Sequence, residues 1–412
     1  MASYVFKLEE TDDDYILVNL EEEKEEDACS ESIQQLEDAL VLDSQSDDEE
    51  SFDMASDQSP EHVDVSGKQL KQRMELSIED VVKQHALVFL PAKSLYKCRA
   101  VSKDWEQWIG NPFFIHQHTL HFKDVSGLFC QLPGEDPSFI SLDPSAFGVR
   151  NPTLNFLPEH VDVRATCNGL LCCQGRSENQ AYYICNPVTE EWKMLPDPLL
   201  YHAAGTGIAL AFEPSTFNFD SHYQLIAMVQ SLDCLIRYFE IYSSETNSWR
   251  ISETVCCETD IGETNGDGFY MRGYAYWEMQ SGVALAFNVI EEQYGIVSLP
   301  PCNAPIGALT QMDGGLCYVF PRQDNEIEVY STMEMRLKYV IRISPNAVMD
   351  LGWDRSSRAV CFVNDDMLIL EVGEKIIAYH VSKRKSQRLS HASIEGFSKY
   401  LPYVNSLVPV AT

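Results

Sequence analysis

The sequence has few basic side chains and no long apolar run. Of its 412 residues, 30 are Lys or Arg and 63 are Asp or Glu, which gives a formal net charge of −33 at pH 7. Nucleic acids and anionic membranes attract proteins through an excess of positive charge. The excess of negative charge therefore argues against a nucleic acid or an anionic membrane as the main partner. In addition, no apolar stretch approaches the ~20 residues that span a bilayer.

The sequence also lacks glycosylation acceptors, and we expect no secretion signal, because Met1–Tyr4 leads into acids and not into a basic and then apolar stretch. The 13 Cys are odd in number and form no Cys-x-x-Cys pair, so neither a disulfide framework nor a zinc ribbon is indicated. His116, His118 and His121 lie close together but lack Cys or carboxylate partners at fixed spacing, and we predict surface positions for them. We expect an intracellular, soluble chain, cytoplasmic or nuclear, with no metal and no cofactor.

The acidic side chains are concentrated at the start of the sequence. Residues 1–67 contain 23 Asp and Glu against only Lys7 and Lys24, whereas residues 68–412 contain 40 acids and 28 bases. A stretch so acidic and so poor in aromatic residues cannot bury enough apolar surface to offset the loss of chain entropy. We therefore predict that residues 1–67 form a disordered acidic tail.

Residues 76–121 have the pattern of a small all-α segment of three short helices. Ser77-Ile78-Glu79-Asp80 is a capping box, Leu90-Pro91 ends the first helix and Asn111-Pro112 ends the second. One apolar stripe at helical spacing runs along the second helix and consists of Leu95, Cys98, Val101, Trp105 and Trp108. A segment of ~45 residues cannot bury this much apolar surface alone, so part of it should face another polypeptide.

From residue 125 to residue 412, strand patterns recur about every 40 to 57 residues. The clearest unit is Tyr182–Pro196, and Phe239–Ile251 repeats it, with Trp249 lying 57 positions after Trp192. Weaker copies are residues 284–299, 327–343 and 375–389. This period is typical of four-stranded propeller blades, in which we expect each Trp to fill the gap between blades.

The fold class predicted for the whole chain is therefore multidomain. A disordered tail and a three-helix segment precede an all-β, kelch-like propeller of about six blades at 125–412. A last strand at Tyr403–Val408 should complete the first blade and close the ring. The insert Glu258–Gly268 lacks the features of a phosphate-binding loop and is predicted to lie on the rim, where binding specificity is often built.

Five motifs, in their order along the chain, resemble a known family. Phe89–Leu95 and Arg99–Trp105 are similar to an F-box. Asn168–Cys172 and Cys185–Trp192 resemble the plant F-box-associated domain, a kelch-like propeller, and Tyr400–Val408 is similar to the usual ending of that family. The resemblance covers residues 76–412.

The resemblance implies a role that is not enzymatic. Such proteins are substrate receptors of cullin-based (SCF-type) ubiquitin ligases: the F-box docks on a Skp-type adaptor, which leads to the cullin, and the propeller holds the protein to be ubiquitinated. The receptor acts by raising the effective concentration of substrate near the ubiquitin-charged enzyme. Carried over by position, the adaptor-binding residues are Leu76, Ile78, Val81, Leu90, Pro91, Leu95, Cys98, Val101 and Trp105.

Two departures from the family pattern keep other interpretations open. The family usually begins with Leu-Pro where this chain has Leu76-Ser77, and His85 stands where an aliphatic residue is typical. An F-box-like scaffold that binds the adaptor outside a ligase is therefore the second hypothesis. A kelch-type propeller enzyme is the third, although no residue spacing points to a catalytic site.

Two aliphatic patches in the acidic tail resemble motifs that bind SUMO, the small ubiquitin-like modifier. They are Ile16-Leu17-Val18 and Leu40-Val41-Leu42, both flanked by acids. In such motifs the aliphatic strand adds to a sheet edge and the acids meet basic side chains. The alternative is a solubilising tail that contains a few aliphatic residues by chance.

Overall fold

The computed structural model describes the chain in separate stretches. These are residues 6–10, 16–20, 81–83, 86–143, 148–203, 205–215, 218, 220–231, 236–300, 307–322, 326–331, 336–343, 357–373, 375–389 and 399–410. Within them, short helices precede a ring of six β-sheets. The capping box at Ser77 and the position of His85 lie outside the described residues.

The helical segment contains a helical stretch at 81–83, a 3-10 turn and three α-helices. Their bounds are Leu87–Phe89 for the 3-10 turn, Ala92–Cys98 for α1, Lys103–Ile109 for α2 and Pro112–His121 for α3. The single stripe predicted from Leu95 to Trp108 is thus divided between two helices. The Ser102 hydroxyl accepts a hydrogen bond from the Trp105 N–H at 3.2 Å and starts α2 as its N-cap. No helix among the described residues is long and apolar enough to cross a membrane.

In the described part of the chain, the strands form one hairpin and six further sheets, all antiparallel. The hairpin pairs β1 (Phe6–Glu10) with β2 (Ile16–Leu20) inside the tail predicted to be disordered. Blade 1 contains β3 (Gly127–Gln131), β4 (Ser138–Ser141) and β25 (Lys399–Tyr403). Blade 2 contains β5 (Val161–Cys167), β6 (Leu170–Gly175), β7 (Tyr182–Asn186) and β8 (Glu191–Met194).

The other four blades have four strands each. Blade 3 contains β9 (Gly207–Ala211), β10 (Gln224–Gln230), β11 (Arg237–Ser243) and β12 (Ser248–Cys256). Blade 4 contains β13 (Phe269–Met271), β14 (Tyr274–Met279), β15 (Val283–Asn288) and β16 (Gln293–Ser298). Blade 5 contains β17 (Ala308–Met312), β18 (Gly315–Pro321), β19 (Glu326–Ser331) and β20 (Arg336–Arg342), and blade 6 contains β21 (Arg358–Val363), β22 (Met367–Val372), β23 (Lys375–His380) and β24 (Lys385–Arg388). The prediction of a six-bladed propeller is confirmed, and the five repeats read in the sequence are the outer hairpins of blades 2 to 6.

The inner strands are apolar on both faces because each blade is covered by two neighbours. In β9, Ile208 and Leu210 pack in the cluster shared with blade 2, while Ala209 and Ala211 pack in the cluster shared with blade 4. Successive side chains of a strand point to opposite faces, so such a strand has no polar face. The stacking of blades therefore accounts for the continuous apolar runs in the sequence.

The two tryptophans of the repeat, Trp192 and Trp249, differ in burial. Trp249 is buried, and its indole N–H donates to the carbonyl oxygen of Pro196 at 2.7 Å in the loop that joins blades 2 and 3. Trp192 is 43% exposed and contacts the ring of Tyr183 edge-on at 6.0 Å. The prediction that each Trp fills the gap between blades is correct for Trp249 and wrong for Trp192, whose side chain stays 43% exposed among the described residues.

The ring closes through pairing between the two ends of the propeller sequence. In β25 and β3, Lys399 pairs with Gln131 and Tyr403 with Gly127, so closure is confirmed but lies earlier than the predicted strand at Tyr403–Val408. The residues after Tyr403 do not continue the β-strand pairing and are held by hydrogen bonds from the Asn186 side chain. The Asn186 amide donates to the carbonyl oxygens of Ser406 at 3.0 Å and Val408 at 2.7 Å.

A buried carboxylate joins blades 1, 2 and 3 near the centre of the ring. Asp267 accepts hydrogen bonds from the guanidinium of Arg164 at 2.8 and 2.9 Å, from the N–H of Ile208 at 3.0 Å and from the ammonium of Lys399. Burial alone would raise the pKa of Asp267, but Lys399 and Arg164 hold it below its ordinary value. The insert Glu258–Gly268, predicted only as a rim loop, thus ends in a residue that ties three blades together.

Candidate functional site

The helical segment builds a small core and completes it on the propeller. Its buried apolar side chains form one cluster with two propeller residues, and the cluster consists of Leu87, Val88, Ala92, Leu95, Ile109, Phe114, Val188 and Leu407. Val188 lies in the turn between β7 and β8, and Leu407 follows β25. The segment is therefore seated on the end of blade 2 where these turns lie.

Helix ends and one ion pair fix the three helices against each other. The Asn111 side chain accepts a hydrogen bond from the Phe113 N–H at 2.8 Å and caps α3, which begins with Pro112. Lys83 pairs with Asp104, and its carbonyl oxygen accepts a hydrogen bond from the Trp108 indole at 3.2 Å. The helical stretch at 81–83 is thereby fastened to α2.

The histidines of α3 are largely interior, contrary to the surface positions predicted for them. His118 is fully buried and donates from Nε2 to the carbonyl oxygen of Leu90 at 2.9 Å. Burial lowers the pKa of His118 to about 4, against the opposing effect of that hydrogen bond. His116 is also buried, whereas His121 is exposed. Within the described stretches, no group of His, Cys and acidic side chains is arranged to hold a metal ion.

The predicted adaptor-binding residues fall into four groups. Val81 is 44% and Val101 64% exposed. Leu95 is completely buried in the core of the segment, so it supports the surface from beneath. The half-buried positions are Leu90, Pro91, Cys98 and Trp105. Leu76 and Ile78 lie outside the described residues.

Three further apolar side chains of the segment are exposed and were missed in the sequence. Phe89 is 60%, Phe113 61% and Leu120 38% exposed. Phe89 precedes Leu90-Pro91 and Phe113 follows Asn111-Pro112, so both lie at helix boundaries outside the apolar stripe. We call Val81, Phe89, Val101, Phe113 and Leu120 the exposed apolar residues of the helical segment.

A cavity of about 550 Å³ separates part of the helical segment from the propeller. Its lining includes Arg99, Ile109 and His116 from the helices and Phe212 and His222 from blade 3. The lining mixes charged, aromatic and aliphatic groups. The cavity shows that the helices rest on the propeller only locally.

The loops that join successive blades lie at the other end of the strands. In antiparallel sheets, the turn between the third and fourth strands and the loop to the next blade leave opposite ends. The helical segment contacts the β7–β8 turn, so the β8–β9 and β12–β13 loops belong to the opposite face. The β8–β9 loop presents Leu199 and Tyr201, which are 63% and 73% exposed.

The tail motifs are only partly described. Ile16, Leu17 and Val18 belong to β2, which pairs with β1 in the register Phe6 to Leu20. Leu40, Val41 and Leu42 lie outside the described residues. SUMO binding by either motif stays a prediction.

Comparison with known proteins gives one family and several relatives. Residues 143–410 match the family described as "F-box associated beta propeller domain". The chain is 29% identical to "F-box protein At5g07610" of Arabidopsis thaliana over 308 residues, 66% of this chain and 71% of the relative. It is 29% identical to "F-box protein At5g49610" over 240 residues (54% and 64%) and 22% identical to "F-box protein At5g03970" over 364 residues (78% and 86%), both from the same plant.

Proposed function

Because the chain belongs to the F-box associated beta propeller domain family, we propose that it is the substrate-recognition subunit of a cullin-based ubiquitin ligase. The helical segment binds a Skp-type adaptor, and the propeller binds the protein to be ubiquitinated. The relatives named F-box proteins support the first half of this proposal. The adaptor connects the chain to the cullin.

One observation carries the proposal. The helical segment exposes large apolar side chains although its own core is already complete. Val101, Phe113 and Phe89 are each at least 60% exposed, while Leu95 and Ile109 beneath them are almost fully buried. Exposed apolar side chains on a packed helical surface are typical of a protein-binding site.

The helical segment and the inter-blade loops lie on opposite faces of the propeller, which supports the same role. The helices sit on the end of blade 2 that carries Val188, while the inter-blade loops lie on the opposite face. An adaptor on the helices therefore leaves those loops free for a second protein. The chain needs no catalytic group, because holding substrate near the ubiquitin-charged enzyme raises its effective concentration.

Co-purification from plant cells tests the proposal and separates it from the alternatives. We expect the tagged full chain to recover both the Skp-type adaptor and the cullin, and Val101→Asp to lose both. Ile290→Asp is the matched control, because Ile290 is 86% exposed in the β15–β16 turn of blade 4, outside the helical segment. Recovery of the adaptor without the cullin would favour a scaffold outside a ligase, and recovery of neither would refute the proposal.

A further inference from the structure

We propose that the junction of blades 2 and 3 binds a basic segment of the substrate through an apolar patch. This inference rests on the proposed function and names the class of partner. The patch consists of Leu199 and Tyr201 from the β8–β9 loop and Ile251 from β12, which are 63%, 73% and 41% exposed. We call these three residues the blade 2–3 patch.

A buried glutamate fixes the loop that carries two of these residues. Glu240 on β11 is completely buried, and its carboxylate accepts hydrogen bonds from the N–H groups of Leu199 at 2.5 Å and Leu200 at 3.0 Å. His202 lies 3.1 Å from the same carboxylate through Nε2, and its Nδ1 lies 2.9 Å from the Tyr182 hydroxyl. The backbone from Leu199 to His202 is therefore fastened to β11 of blade 3.

This anchoring directs alternate side chains outward. Leu200 packs against the core between blades 2 and 3, and His202 is 4% exposed. Leu199 and Tyr201 therefore point to solvent. Ile251 pairs with Glu240 across the strands and so lies beside the anchored loop. Rigid aromatic and aliphatic side chains presented in this way lose little entropy on binding, which is the property of interface hot spots.

Acidic side chains border the patch. Asp197, two positions before Leu199, and Glu253, two positions after Ile251, are both exposed. Arg250 on the same strand is paired with Glu292 of blade 4, and Lys193 is half-buried. The border therefore attracts positive charge.

The acidic surface continues into the β12–β13 loop. Its exposed acids are Glu258, Asp260 and Glu263. Arg237, buried on β11, donates to the carbonyl oxygens of Glu258 at 2.9 Å and of Gly262, and so fixes this loop as Glu240 fixes the other. A partner that matches both features carries Lys or Arg beside apolar side chains, and its cation can lie over the ring of Tyr201.

Selection of peptides on the full chain tests the inference. The probe is a displayed library of random peptides of about twelve residues, long enough in extended form to span the patch and its border. We expect enriched peptides to combine Lys or Arg with Leu, Phe or Trp. In fluorescence anisotropy, one labelled enriched peptide should bind Tyr201→Ser and Leu199→Ser about tenfold or more weakly, and high salt should weaken its binding to the wild type.

Ile290→Ser is the control, since it removes an apolar side chain that is 86% exposed, more than either Tyr201 or Leu199, at the turn between β15 and β16. It should bind the peptide as the wild type does. Enrichment of acidic peptides, no enrichment, or unchanged affinity in Tyr201→Ser would overturn the inference. Tyr201→Ser should still recover the adaptor, so failure of the peptide test is separable from failure of the proposed function.

Discussion

The carboxylate of Asp267 and the guanidinium of Arg164 form a two-point ion pair, with hydrogen bonds of 2.8 and 2.9 Å, across 103 residues of sequence. Both side chains are almost fully buried. Lys399 of the ring-closing strand joins the same carboxylate. One acid therefore connects the first, second and third blades at the place where the ring is completed.

We expect Asp267→Asn to destabilise the propeller by about 3–5 kcal/mol, because it leaves the buried guanidinium of Arg164 and the partly buried ammonium of Lys399 without their carboxylate partner. Thermal and urea unfolding measure the change. Asp313→Asn is the matched control, since Asp313 forms a 2.7 Å ion pair with Lys338 at the surface and should cost less than about 1 kcal/mol. Equal losses in the two variants would contradict a special role for Asp267.

The buried His118 makes the helical segment sensitive to acid. Its folded pKa, about 4, lies below the ordinary value of 6.5, so the unfolded chain binds more protons between these values. The free energy of unfolding therefore has its full value above pH 6.5 and decreases as the pH falls toward 4. At pH 5 the decrease due to His118 is about 2 kcal/mol. Urea unfolding of the wild type and of His118→Gln at about pH 7 and pH 5 measures it. The variant should show the smaller pH dependence, and parallel curves would contradict this account.

The two tryptophans of the repeat should respond differently to the same substitution. Trp249→Phe removes the hydrogen bond to Pro196 at a buried site and should cost about 1–3 kcal/mol. Trp192→Phe changes a side chain that is 43% exposed and should cost no more than about 0.5 kcal/mol. Thermal unfolding of both variants measures the two losses of stability. A larger loss in Trp192→Phe than in Trp249→Phe would contradict the burial of Trp249.

Stability and adaptor binding should separate within the helical segment. Leu95→Ala empties a fully buried site and should destabilise the segment by about 2–5 kcal/mol. Val101→Ala should change stability by no more than about 0.5 kcal/mol, yet weaken adaptor binding about tenfold. Helical circular dichroism on heating and titration with purified adaptor measure the two effects. A Val101→Ala variant that binds normally would place the docking surface elsewhere.

The first tail motif should bind SUMO through its aliphatic residues. Titration of labelled SUMO with the full chain should give shifts along one sheet edge that disappear in the variant with Ile16, Leu17 and Val18 replaced by Ala. Absence of shifts at ~1 mM, where the binding free energy would be only ~−4 kcal/mol, would exclude the motif and favour a simple solubilising tail.

The sequence predicts the blades well because their determinants are local. Strand alternation recurs in each unit, and the turn Asn168-Gly169, with positive φ angles of 45° and 95°, has counterparts at Arg272-Gly273 in blade 4 and Asp313-Gly314 in blade 5. The F-box resemblance likewise rests on short motifs. The burial of Trp249 depends instead on a loop from another blade, so Trp192 in the same local pattern gives no sign that it stays exposed.

Long-range polar contacts were not predictable in this way. Asp267 lies in a Gly-flanked insert that has the composition of a surface loop. Its partner Arg164 lies 103 residues earlier, and no motif or spacing in the sequence connects the two. Glu240 is likewise a charged residue in an apolar strand, and its role depends on backbone groups of another loop. His118 shares the spacing of a surface cluster, but the packing of α3 against Leu90 buries it.

Pairing of β25 with β3 also sets an order of events during synthesis. β3 (Gly127–Gln131) pairs with β25 (Lys399–Tyr403), so the first blade keeps an unpaired edge until those later residues leave the ribosome. At about 5–20 residues per second, that edge waits many seconds next to the emerging chain. A translation product halted before Lys399 would hold most blades yet leave an open strand edge, which makes it a target for chaperones and for aggregation.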